Sequence, residues 1–413
     1  MNFTENVSNP GGTEVPFSIR FSVHIIVSEK GFVYNKNNKV IKGGGSMKII
    51  HCADIHLDSK MSANLTKEKA KERKTELLTT FQNMVEYGAS HEVDAILIAG
   101  DLFDTKNVSA TARNIVKDLI QGHPSMEFYY LQGNHDEGSF TGGLSEIPEN
   151  LHLFGSSWTS YEVSKKVCIT GVELNPENSG SICHTLSLDA DRINIVTLHG
   201  QESEYSARDK AEIIHLTALK NKGIDYLALG HIHSYKKERL DGRGVYCYPG
   251  CLEGRGFDEC GEHGFVMLSI DEAAGTMESR FVPFAARNLY TIPVDITGCN
   301  STMDILDRMK KETAEKNYPA KSLVKYELTG KIDVESEKDT DFLLHQFADR
   351  FYFVKLRDSS EYLVDYVSFA KDMSLKGEFI RTVMGREDLS EEDKAAVIHY
   401  GLQALAGEEI LDA

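Results

Sequence analysis

The stretch YLALGHIHSY (226–235) sets a run of strand-forming residues directly against two histidines two positions apart. Residues i and i+2 of an extended chain point to one side, so His231 and His233 share a face. Gly230 lets the backbone turn or pack closely just before them. The chain has fifteen histidines, and composition alone could produce such a pair. The deciding point is whether other strands end the same way.

They do. KIIHCA (48–53) runs into Asp54 and His56, again two apart, and AILIAG (95–100) runs into Asp101. FYYLQG (128–133) runs into Asn134, His135 and Asp136, and INIVTL (193–198) into His199. Core histidines are not distributed in this way. Mixed carboxylate, amide and imidazole donors suit manganese, iron or zinc better than an all-oxygen calcium site. Two divalent cations about 3.5–4 Å apart share a carboxylate and clamp the attacking and leaving oxygens of an in-line displacement at phosphorus. Asp54, His56, Asp101, Asn134, His199, His231 and His233 are the candidate ligands, and Asp101, alone on its strand, suits the shared place. Two cations set against Asp54, Asp101 and a hydroxide leave a pocket of about +1, able to receive phosphate.

Around these tips the pattern alternates. A helix is predicted over 66–90, with Leu77, Phe81, Met84 and Gly88 at 3–4 spacing, a second over 109–121 and a third near 208–221. VCITGV (167–172) reads as a strand, and VYCYPG, GFVMLSI and ESRFVPF as antiparallel strands to about Phe284. Alternating strands and helices followed by a run of strands predict a mixed sheet or a two-sheet sandwich flanked by helices. After residue 287 a β-α-β-α-β series predicts a small α+β unit of split-βαβ type, with helices near 301–316 and 339–349. The tail reads as helical: Ser390 and Asp393 form a capping box, and Ile398, Leu402 and Leu405 one apolar stripe. The expected division is an extension over 1–46, a catalytic domain over 47–286, an α+β domain over 287–370 and a helical tail over 371–413.

The first 46 residues lack the apolar core of a secretory signal and end in IKGGGSM. A purine-rich ribosome-binding site translated in frame gives such Lys and Gly codons, so a non-native or disordered extension before a start at Met47 is expected. A flexible linker after a small arm is the alternative. The 413 residues, 41% hydrophobic and 26% charged, are those of an ordinary globular protein of two or three domains. No stretch approaches twenty apolar residues, so no membrane span is expected. Seven cysteines without a CxxC pair fit neither a disulfide framework nor a zinc knuckle, and favour the cytoplasm. A net charge of −18 argues against nonspecific coating of nucleic acid or membrane.

Taken in order, ADIHLD (53–58), AGDLFD (99–104), QGNHDE (132–137), LHGQ (198–201) and LGHIHS (229–234) resemble the five signature blocks of the calcineurin-like metallophosphoesterases. The resemblance implies a four-layer α-β-β-α sandwich with a smaller α+β capping domain and a helical C-terminal tail. It also implies roles: Asp54, His56 and His233 on one metal, Asn134, His199 and His231 on the other, and Asp101 shared. His135 would protonate the leaving oxygen, and Asp136 would orient it from behind. HCADIHL, YLALGHIH and YPG…GRGF…GEHGF (248–265) further resemble the DNA-repair exonuclease branch, the bacterial SbcD-type subunit. That branch implies a DNA substrate, two divalent ions per chain (manganese, with iron, zinc or magnesium open), an SbcC-type ATPase partner and a homodimer. Cys251-Leu252-Glu253 departs from the family's small-residue turn after YPG, and nothing after 287 carries a motif.

Simpler roles apply to the neighbours. His51 and Cys52 are expected to pack on opposite faces of their strand, and Asp58 and Asp104 to cap loops or stand behind the ligands. KEKAKERK (67–74) reads as a solvated helix face, with DNA contact as the alternative. Lys236, Arg243 and Arg255 follow the last block and could meet phosphates. Two other readings stay open: an enzyme for a small phosphoester, cyclic nucleotide or phosphoprotein, and a subunit that chiefly binds the ATPase.

Overall fold

In the computed structural model, residues 27–28, 31–34, 46–61, 65–105, 108–135, 140–144, 146–203, 213–364 and 369–406 are described. The first strands are β1 (Val27–Ser28), β2 (Gly31–Tyr34), β3 (Met47–Cys52), β4 (Ala95–Ala99), β5 (Glu127–Leu131), β6 (Leu151–Leu153), β7 (Thr159–Glu162) and β8 (Val167–Gly171). They are followed by β9 (Ile193–His199), β10 (Gln201–Ser203), β11 (Ile213–His215), β12 (Tyr226–Gly230), β13 (Lys236–Arg239), β14 (Val245–Tyr248), β15 (Gly264–Asp271) and β16 (Thr276–Pro283). Two sheets result. One has the order β16-β15-β3-β4-β5-β6, the other β1-β2-β7-β8-β9-β12-β14-β13. The strands that carry the polar tips run parallel within each sheet.

The alternation of side chains along β3 explains the layering. Ile50 and Cys52 face helices α1 (Lys67–Ser90) and α2 (Ala110–Gly122), packing with Leu77, Phe81, Met84 and Val116. Met47 and Ile49 face the other sheet, meeting Ile169, Ile195, Tyr226 and Ala228. The far side of that second sheet is covered by Leu216 and Leu219 of the one-turn helix α3 (Leu216–Leu219) and by Cys183 and Leu186. Helices, sheet, sheet and helical turns thus make a four-layer α-β-β-α sandwich. Each fully buried Leu, Phe or Met contributes about 1.5–3 kcal/mol to holding the layers together. Thr66 and Ser109 cap α1 and α2 with their side-chain oxygens.

Three expectations need correction. The helix near 208–221 is reduced to one turn over its described part: Ile213 and Ile214 instead form β11 beside β10, as β-branched residues favour, and only Leu216–Leu219 is helical. Asn221 and Gly223, both in the left-handed region, end it. The unit after 287 is not split-βαβ. Its strands β17 (Leu289–Asp295), β18 (Leu323–Thr329) and β20 (Phe353–Asp358) are neighbours in a parallel sheet joined by α4 (Thr302–Lys316) and α5 (Thr340–His345), with β19 (Lys331–Asp333) and β21 (Glu361–Leu363) paired beside it. Each crossover helix returns the chain to the adjacent position, so no strand is inserted between. Finally, KEKAKERK is not a uniformly solvated face: Arg73 is buried and bound to the buried Glu253, and Lys69 reaches the Tyr352 carbonyl.

In the tail, helix Leu375–Met384 packs against helix Glu391–Ala406. Ile398 is buried among Val334, Phe369, Ile380 and Val383, and Leu402 packs against that cluster, while Leu405 is exposed. The stripe therefore largely folds back on its own chain. Ser390 accepts from the Asp393 backbone as expected. His51 is buried between the sheets with Nδ1 2.9 Å from the Tyr226 hydroxyl, whereas Cys52 faces the helices. All seven cysteines are free. No helix of the described residues is long and apolar enough to cross a membrane. Most of the 1–46 extension lies outside the described residues.

Candidate metal centre

Parallel strands end on the same side of a sheet, and here five ends of two sheets meet. The segment after β3 runs alongside the segment after β4: Asp54 N donates to Gly100 O (3.1 Å), His56 N to Asp101 O (3.0 Å) and Leu57 N to Leu102 O (2.8 Å). In the other sheet Gly230 of β12 pairs with His199 of β9. The sheets are joined across the gap by His199 Nδ1, 2.9 Å from the Ala99 carbonyl oxygen. A Cβ on Gly230 would lie 1.9 Å from that same Ala99 oxygen, so only glycine lets β12 approach β4 this closely. Gly133 has the same purpose: a Cβ there would lie 2.0 Å from Asp101 Oδ1. Asp54, His56, Asp101 and His231 all sit at positive φ, between 49° and 102°, which places their side chains where extended residues would not.

Six of the seven candidate ligands converge closely. Asp54, His56 and His233 offer donor atoms within 4.8 Å of one another, as do Asp54, Asp101 and His199. Asp101 lies between the groups, its Oδ2 3.9 Å from His56 Nε2 and 3.4 Å from His199 Nε2. Asn134 Oδ1 is 3.1 Å from His199 Nε2. His231 stands edge-on to His199 with ring centroids 5.4 Å apart, and its backbone N donates to both Asp54 oxygens at 2.9 Å. His135 lies at the exposed mouth, its N donating to Asp101 Oδ1 (3.0 Å) and its Nδ1 3.2 Å from the Asp104 carbonyl oxygen. Asp136 lies outside the described residues.

The donor set fits cations. His199 Nδ1 faces a carbonyl oxygen and His233 Nδ1 faces the Glu259 carboxylate at 2.7 Å, so in the neutral rings both protons belong on Nδ1. His56 Nδ1 lies 3.2 Å from an Asp104 carboxylate oxygen, at ion-pair distance without hydrogen-bond alignment. The Nε2 lone pairs are thereby aimed at other acceptors: His56 at His233 (3.2 Å), and His199 at Asn134 Oδ1 and Asp101 Oδ2. Acceptors facing acceptors need a proton or a cation between them. Burial opposes charge on His199, yet the Asp101 carboxylate outweighs it and lifts the imidazole to about 9. Burial is similarly outweighed at Asp101, whose carboxyl is held well below its usual range by His199 and His56. At His56 burial prevails and lowers the imidazole, while at His233 the Glu259 carboxylate overcomes burial and raises it.

Three further groups complete the centre. Asp104 joins His56 and His135 in a third set of close donors. Glu259 holds His233, and Arg255 holds both Asp104 (2.8 Å) and Glu259 (3.1 Å). Arg255 is thus engaged by carboxylates instead of standing free for phosphate. Arg243 is held by Asp225 and Lys236 by Glu202. Glu259 lies within the 248–265 block read from the sequence, but nothing in that block distinguished its carboxylate from neighbouring ones.

Residues 47–235 match the family model described as calcineurin-like phosphoesterase. An uncharacterized metallophosphoesterase, YhaO of Bacillus subtilis (strain 168), is 29% identical over 54% of this chain and 57% of its own. The DNA double-strand break repair protein Mre11 of Methanopyrus kandleri is 26% identical over 57% of this chain and 56% of its own. The chain therefore spans little more than half the length of these two curated relatives. Mre11 of Saccharolobus solfataricus is 25% identical over 89% of this chain and 97% of its own.

Proposed function

We propose that this chain, whose residues 47–235 form a calcineurin-like phosphoesterase domain, is a two-metal phosphodiesterase that cleaves DNA. The observation that carries the reading is the convergence of Asp54, His56, Asp101, Asn134, His199 and His233, with their lone pairs facing one another across the sheet ends. Asp54, His56 and His233 would hold one cation, Asn134, His199 and His231 the other, and Asp101 both. When bound, two such cations stabilise the attacking and leaving oxygens of an in-line displacement at phosphorus. Manganese suits the mixed oxygen and nitrogen donors, as iron and zinc do.

The chain's own groups supply the rest. With Nδ1 turned to the Asp104 carbonyl oxygen, His135 would carry a second proton on Nε2, as an imidazolium, and pass it to the departing oxygen. Asp136 would steady that ring from behind. Similarity to the Mre11 double-strand break repair proteins supports DNA as substrate and a role in repair, while the SbcD-type reading, an SbcC-type ATPase partner and a homodimer rest on the resemblance of the sequence blocks alone. The domain division at 46/47, 286/287 and 370/371 and a cytoplasmic location belong to this reading. Exposed Met373, Leu375 and Leu405 give the tail an apolar surface for the partner.

Incubating the chain with an end-labelled duplex and Mn²⁺, beside a generic aryl phosphodiester, tests the proposal. Shortening of the duplex, abolished by chelator, is the expected result. Hydrolysis of the aryl ester with an intact duplex would replace DNA by a small phosphoester as substrate.

A further inference from the structure

We propose that Arg255 is a positioning residue: one guanidinium fixes Asp104 and Glu259, and these two carboxylates set His56 and His233 to turn bare Nε2 atoms toward a single cation. The inference rests on the paired-cation reading above and adds to it the device that prepares one of the two places.

The contacts form a closed chain. Arg255 Nη1 donates to Asp104 Oδ1 (2.8 Å), which lies 3.2 Å from His56 Nδ1. Arg255 Nη2 donates to Glu259 Oε1 (3.1 Å), which accepts from His233 Nδ1 at 2.7 Å. The backbone N of Arg255 donates to the other Glu259 oxygen at 2.7 Å, so residue and carboxylate are tied twice. Nη2 also lies 3.3 Å from His233 Nδ1, but a guanidinium nitrogen only donates, and the nearer carboxylate oxygen keeps the ring proton on Nδ1. The Glu259 carboxylate thereby keeps the His233 proton on the outer nitrogen, and the Asp104 carboxylate, at ion-pair distance, favours the same tautomer of His56 electrostatically. The inner nitrogens of the two rings meet 3.2 Å apart.

The geometry explains why an arginine stands here. Asp104 and Glu259 come from segments 155 positions apart in the sequence and must lie side by side behind the two rings. Two carboxylates so placed repel unless a cation separates them. A planar fork with donors at two ends meets both at once, whereas an ammonium offers one point charge. Acceptors behind metal-bound imidazoles fix ring orientation and tautomer, and their loss typically weakens metal binding by about 10–100-fold. The second cation place, around His199, uses the Ala99 carbonyl for the same purpose and does not touch Arg255. The device therefore acts on one place only.

Calorimetric titration of chelator-stripped full chain with Mn²⁺ is the test. Wild type is expected to take two equivalents. Arg255→Met, Arg255→Lys and Glu259→Gln should each weaken one equivalent by about 10–100-fold and leave the other within about threefold. Arg243→Met, removing a surface guanidinium held by Asp225, should leave both unchanged. In cation-free protein with ¹⁵N-labelled histidine, two rings protonated at Nδ1 should become tautomer mixtures in Arg255→Met, with circular dichroism at the assay temperature as in wild type. Unchanged binding in the Arg255 and Glu259 variants, or equal weakening of both equivalents, overturns the inference while sparing the paired-cation reading. A wild-type chain that binds fewer than two equivalents removes that reading itself.

Discussion

Consider Gly230→Ala, which adds one methyl group where β12 hands over to the histidine pair. The new carbon would lie 1.9 Å from the Ala99 carbonyl oxygen, 2.8 Å from His199 Nδ1 and 3.0 Å from Ala53 Cβ. Real Cβ atoms essentially never come within 3.0 Å, so β12 must retreat from β4 by about 1.1 Å. His231 and His233 travel with it, while His56 and Asp101 stay with the other sheet. A displacement of about 1 Å in a reacting centre costs roughly 10²-fold in rate. Overpacking adds about 1–3 kcal/mol of destabilisation, too little to unfold a sandwich of this size. Phosphodiester hydrolysis should therefore fall at least about 10²-fold in kcat/KM, with circular dichroism unchanged and Mn²⁺ binding weakened. Gly242→Ala is the matched control, since nothing lies within 4 Å of its Cβ position. A Gly230→Ala protein that binds two Mn²⁺ and keeps activity within about threefold of wild type would refute the close-approach argument.

Other variants probe separate parts of the molecule. His135→Ala should keep two metal equivalents and lose about 10²–10⁴-fold in turnover, the usual worth of a positioned acid, as a stopped assay with parallel metal analysis would show. Glu253→Ala takes one of two carboxylates from the buried Arg73 guanidinium, which keeps Glu76, and removes the acceptor for Thr80 and the Ala286 backbone, so a loss of about 3 kcal/mol is expected in urea unfolding; Arg73→Met/Glu253→Leu should cost less than Glu253→Ala. Burial pushes the His51 imidazole down to about 3. The unfolded chain therefore takes up a proton below about pH 6.5 that the folded chain refuses, and stability falls from there toward pH 3, by about 2 kcal/mol at pH 5. His51→Asn, which can still meet the Tyr226 hydroxyl, should flatten the difference between unfolding at pH 7 and pH 5; equal slopes would deny His51 that part.

The sheet core and the tips were legible because parallel strands impose a simple rule: apolar run, glycine or polar tip, then turn. α1 and α2 were legible for the same reason, as Leu77, Phe81, Met84 and Val116 keep helical spacing and each helix has its cap. The failures share a cause as well. Arg73 sits in a run of charges whose local pattern is that of a wet surface, and a buried carboxylate 180 positions away, together with Glu76 of its own helix, makes its burial tolerable. Glu259 and Arg255 are ordinary loop charges until the fold brings Asp104 and His233 to them. Ile213 and Ile214 were read as helical from their neighbours, whereas pairing with β10 decides their conformation. Contacts that are distant along the chain leave no period in it.

The left-handed backbone at Asp54, His56, Asp101 and His231 has a price in thermal robustness, since each such non-glycine conformation costs of order 1–3 kcal/mol. Glycine would relax any one of them. A laboratory lineage selected for heat resistance alone should thus drift toward glycine at these positions, gaining a tougher scaffold while shedding catalysis. Homologues that have kept the architecture but abandoned the chemistry should carry the same signature, readable from four positions before any assay is run.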